Sequence, residues 1–264
     1  MSIAATVAFV IALLVEIPLP FVVGFWVEGK LDVPWRAFWY GALVYGLAQL
    51  ALRIPLLSLV GPKVAPADGD GFAAILAWTV VLAGSTALVE LAARYLGYRY
   101  LFRGLGRTWQ GGVMFGLGMG TLESLFLVGL PTLLTFANAL SLPGMDPVAQ
   151  GFDAEQTVQL REAQAQLATL SAWMPLSAAV ERLLTLLLQM ALAVLVLQAF
   201  TRSSRRWLWY ALAVQFGVGL MATLASTYGS ILLAEVLLAL SAAGCAYWAL
   251  RLRPSPALKA KMRS

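Results

Sequence analysis

Seven times along this chain the side chains turn apolar for about twenty residues, with mostly short polar connections between the runs. A helix of about twenty residues is about 30 Å long, the thickness of a bilayer's hydrocarbon core. In lipid every backbone N–H and C=O must be satisfied internally, and continuous apolar runs of this length do so as helices. The expected fold is therefore all-α: a polytopic integral membrane bundle of about seven helices, over residues 3–27, 35–60, 72–95, 109–138, 175–200, 207–228 and 230–248. The chain is 61% hydrophobic and 12% charged, against roughly 45–50% and 25% in soluble domains. Residues 1–253 read as one transmembrane domain and residues 254–264 as a basic cytoplasmic tail, with Pro254 and Pro256 opposing order there. Residues 3–27 read as a span rather than a signal peptide, since no basic residue precedes them and no small-residue cleavage site follows.

The net charge of +5 lies in loops beside the spans, where it sets topology rather than recruiting nucleic acid. Arg99, Arg103 and Arg107 follow the third span, Arg202, Arg205 and Arg206 follow the fifth, and the tail is basic. In a seven-span count all three segments fall on one side, so the N-terminus is expected outside the cell membrane and the C-terminus in the cytoplasm. The long polar segment, residues 141–173, is then extracytoplasmic. Within it Asp153 with Gln156 has the form of a capping box, and Leu160, Ala163, Leu167 and Leu170 trace the apolar side of a short amphipathic helix. Trp26, Trp35, Trp109, Trp173, Trp207 and Trp248 fall at span ends, as an interfacial belt requires.

Within the spans a few polar groups stand out. Gly112, Gly116 and Gly120 share one helical face, suited to close helix packing, and Glu123 follows on nearly the same face. Thr86, Glu90 and Arg94 form a stripe in the third span; Glu181, Thr185 and Gln189 form another in the fifth, with Arg182 adjacent. Glu16, ahead of Pro18 and Pro20 in the first span, is expected to face inward at a kink, and Glu235 is a further inward acid. An ionisable group in lipid marks either a functional interior or a structural ion pair. The chain has no histidine and one cysteine, Cys245, which speaks against ordinary zinc sites, histidine-dependent hydrolysis, haem, copper and iron–sulfur binding. No cofactor is expected.

Three segments carry a resemblance. VELAARYLGYRYL resembles a Glu-Glu-x-x-Arg element, FGLGMGTLES a Gly-x-Gly-His-Gly-x-x-Glu pattern, and AVERLLTLLLQMALAVLV a Glu-Arg pair followed by histidine. Together they resemble the YhfC family of intramembrane metallopeptidases, relatives of the CAAX-processing and bacteriocin-processing membrane proteases. The upstream stretch YGALVYGLAQLALRIPLL is also similar to that family. Glu90, Arg94, Glu123, Glu181 and Arg182 match the pattern, whereas Leu91 stands at the second glutamate and Met119 and Gln189 stand at the two histidines. The resemblance therefore implies the protease frame without its metal ligands, because thioether and carboxamide are poor ligands for zinc. The function expected from this is non-catalytic: a scaffold, accessory subunit or hydrophobic-helix-binding protein, using the glycine face and a shared cluster of the polar residues, with membrane lipids and other membrane subunits as partners. Two alternatives stay open. One is an active peptidase using Glu90, Glu123 or Glu181; the other is a small transporter or lipid-binding protein, against which the sequence shows no paired broken helices.

Overall fold

The computed structural model describes residues 1–67, 71–147 and 149–254; apart from Pro254, the expected basic tail lies outside them. Among the described residues all regular elements are helical, and seven helices are long and apolar enough to cross a membrane. The first comprises α1 (Ile3–Glu16) and α2 (Leu19–Leu31); the second, α3 (Trp35–Tyr45), a π segment Gly46–Arg53 and α4 (Ile54–Val64). The third is α5 (Phe72–Tyr100), and the fourth runs through α6 (Trp109–Glu123), a π segment Ser124–Gly129 and α7 (Leu130–Ser141). After the short α8 (Ala154–Ala168) come α9 (Trp173–Thr201), α10 (Arg206–Tyr228) and α11 (Ile231–Arg251).

Proline explains where the first, second and fourth spans are interrupted. It has no N–H, and its ring crowds the carbonyl four residues back. Pro18 lies in the turn between α1 and α2. Pro55 and Pro131 each follow a π segment by two residues, and there the Ile54 and Leu130 N–H groups bond five residues back, to Gln49 and Leu125. One extra residue in the turn relieves the crowding and rotates what precedes it. The kink at Pro18 was expected from the sequence; the π segments that carry the second and fourth spans on past Pro55 and Pro131 were not.

The chain divides into two compact units, residues 1–21 with 123–183, and residues 22–122 with 184 onward. In the first, α1 packs on α7 and on the π segment 124–129. Phe9 stacks on Phe136 with ring centroids 5.4 Å apart. Gly129 is required there, since a Cβ would lie 2.8 Å from Ile17 Cγ1. The expected capping box opens α8, with the Gln156 N–H donating to Asp153 and the Gln156 side chain accepting from the Asp153 N–H. Leu160 is buried, and Gln164 Nε2 donates to the carbonyls of Leu142 and Met145 at 2.8 and 3.0 Å.

In the second unit the core is the stretch Ala191–Leu197 of α9, no residue of which is more than 2% exposed. The glycine face of α6 lies against it. A Cβ on Gly116 would meet the Gln189 carbonyl and Met190 Cα at 2.5 Å, and one on Gly120 would meet Leu186 Cδ2 at 2.9 Å. The opposite side of α6 is equally close to α3: Gly118 abuts the Phe38 carbonyl, and Gly41 abuts the Phe115 carbonyl. Thus α6 is clasped on two faces, and the glycine face is filled by α9 rather than open as a groove for a foreign helix. Tyr98, fully buried, donates to the Ala193 carbonyl at 2.9 Å. Trp109 does not belong to an interfacial belt. It is 8% exposed, and its indole N–H donates to the Ala249 carbonyl at 2.8 Å.

Candidate functional site

Among the described residues each unit holds a cluster of charged side chains within its spans. In the second unit Glu90 and Arg94 sit one turn apart on α5, 3% and 1% exposed, and pair at 3.0 Å. Three carboxamides complete the shell. Gln49, brought in by the π segment of the second span, donates Nε2 to Glu90 Oε1 at 2.8 Å. Gln189 of α9 donates to Glu90 Oε2 at 3.2 Å, and Gln215 of α10 donates to the same oxygen. Both amides also return their oxygens to Arg94, Gln215 Oε1 accepting from Nη1 at 2.8 Å and Gln189 Oε1 accepting from Nη2. Arg53 extends the chain of bonds, from Gln49 Oε1 to Ser85 Oγ and the Leu82 carbonyl. The carboxylate thus accepts four donors, and both Nη groups of the guanidinium donate to acceptors, while the buried Arg94 Nε has no partner. The amide of Gln189 serves both charges at once, donating to the acid and accepting from the base.

In the first unit the guanidinium of Arg182 is shared. Its Nη1 lies 3.5 Å from Glu123 Oε1, and its Nη2 pairs with Glu181 Oε1. Arg182 and Glu123 are largely shielded, whereas the Glu181 side chain is 46% exposed. Glu16 ends α1 and is fully buried. Its backbone carbonyl accepts from Ser124 Oγ at 2.7 Å. The sequence-selected residues therefore fall into two sets: Glu90, Arg94 and Gln189 are joined in one unit, and Glu123, Glu181 and Arg182 in the other. Met119 is fully buried in α6, where it packs in the apolar core of the second unit. Neither Gln215 nor Gln49 was legible as a partner in the sequence; a carboxamide in an apolar run carries no charge to draw notice.

The profile of the YhfC intramembrane metalloprotease family matches residues 13–238. The chain belongs to the YhfC family. No curated protein and no solved structure matches it. For a YhfC chain the family description implies a metal, and the donors present here do not suit one. Position 119 offers a thioether and position 189 a carboxamide already bonded to both Glu90 and Arg94. Both Glu90 oxygens are taken by N–H donors, and among the described residues no three His, Cys, Asp or Glu side chains are grouped to hold a metal ion. In this YhfC chain Gln189 is engaged in hydrogen bonding and Met119 in packing.

Proposed function

We propose that this YhfC-family membrane protein acts without catalysis, as a scaffold or accessory subunit that binds other membrane proteins in the plane of the cell membrane. The observation that carries the reading is the Glu90 shell. A metallopeptidase needs ligands with free lone pairs and an open coordination position for water, and here Gln189 spends its amide on closing the charge balance of Glu90 and Arg94. The other acids support the same view. Two carboxylates can activate water as a dyad when they share one proton. Glu123 and Glu181 instead share the fork of Arg182 and are not paired with each other. With the glycine face occupied by α9, a partner helix would dock on the outward, lipid-facing sides of the bundle. The arginine-rich loops support an orientation with the N-terminus outside and the C-terminus in the cytoplasm.

The test is purification of the full chain in a mild detergent, with metal analysis, native mass spectrometry and a membrane-peptide cleavage assay. The expected result is substoichiometric zinc, no Glu123-dependent cleavage, and co-purification with other membrane subunits. Stoichiometric zinc, or turnover that disappears in Glu123→Gln while the variant stays folded, would overturn the proposal.

A further inference from the structure

Glu16 lies outside all three segments that carry the family pattern, and the ion pairs of its unit leave it out. Its side chain is 0% exposed, and neither carboxylate oxygen has a hydrogen-bond partner. The Thr132 hydroxyl stands near but outside hydrogen-bonding geometry, and Arg182 and Glu181 are the charges whose fields reach the carboxyl. The elements packed on α1 add nothing ionisable: α7 reads LPTLLTFANALS and the π segment SLFLVG. Glu123, at the end of α6, is the remaining acid of this unit's spans, and it is held by Arg182.

A carboxylate buried with no donor is among the costliest groups a membrane interior can hold. Two escapes exist: a bound metal cation or a bound proton. A hard cation requires several oxygens converging on it. Among the described residues no three His, Cys, Asp or Glu side chains are grouped to hold one, and the Glu16 carbonyl already accepts from Ser124. A proton needs only the carboxyl. From the burial, the missing donors and the broken helix we infer that Glu16 is an intramembrane proton-binding site, occupied at neutral pH. Release of the proton would leave an uncompensated buried charge at the junction beside Pro18. The assignment is independent of whether the chain cleaves peptides.

Infrared spectra of the full chain in lipid nanodiscs, recorded across a pH series, test it. A C=O stretch of a protonated carboxylic acid should persist at neutral pH, fade only at alkaline pH, and be missing from Glu16→Gln. Its absence from the folded wild-type protein at neutral pH, or its persistence in Glu16→Gln, would overturn the inference. Should that variant not fold, the wild-type protein still answers: dicyclohexylcarbodiimide, which modifies protonated carboxyls in apolar surroundings, should label Glu16 by peptide mapping, less at higher pH and equally with or without sodium. Labelling that spares Glu16, or that sodium suppresses, would count against a proton site, the latter in favour of an alkali cation.

Discussion

Glu90 and Arg94 show how a charged pair can be kept inside an apolar bundle. Their attraction alone does not repay desolvation; the three carboxamides supply the remaining bonds. Removing one partner should therefore hurt more than removing both. Glu90→Gln is expected to destabilise the protein by about 3–5 kcal/mol, the cost of stranding a buried guanidinium, and Glu90→Leu combined with Arg94→Met should recover it only when Gln189 and Gln215, otherwise stranded, are made apolar as well. Denaturant or thermal unfolding in detergent micelles measures both. Gln215→Ala, which removes one donor and one acceptor, should cost less, about 1–3 kcal/mol in the same measurement. The four-residue spacing of Glu90 and Arg94 was readable along the chain, because both lie on one helix. Their amide partners come from positions 41 to 125 residues away, and no local periodicity encodes such contacts.

Helices in lipid gain little from burying apolar surface against one another, so close packing decides which faces meet. The face at Gly112, Gly116 and Gly120 was evident from its spacing, whereas the reciprocal pair Gly41 and Gly118 was not, since one glycine in each of two distant spans makes no pattern. Substitution separates tight from loose positions. Gly41→Ala, Gly116→Ala and Gly118→Ala place a methyl group against backbone of a neighbouring helix and should each lower stability by about 1–3 kcal/mol. Gly29→Ala, with nothing within 4 Å of the added carbon, should be neutral or slightly stabilising in the same unfolding series. The π segments were harder to foresee. Pro55 and Pro131 announce an interruption, but whether the chain answers with a kink or an extra residue depends on what the preceding turn must reach.

Seven spans and their order were plain from hydropathy, because bilayer thickness fixes element length before any tertiary contact forms. The division into two compact units was not, for its boundaries fall inside apolar runs, at residues 21, 122 and 183, where composition does not change. The expected orientation can be checked by placing a single cysteine at Ser2 or Ser203 in a Cys245→Ala background. A membrane-impermeant maleimide should label position 2 in intact cells and position 203 only after lysis; the reverse pattern would invert the topology. One small contact constrains how such a chain can change. Pro20 has no N–H to offer the Glu16 carbonyl one turn behind it, and the hydroxyl of Ser124 supplies the bond from a different helix. The two positions, far apart in sequence, are linked: an N–H at 20 would offer that carbonyl a donor of its own, and loss of the hydroxyl at 124 while the proline stays would strand a buried carbonyl. Drift at either site is tolerable only when the other has already moved.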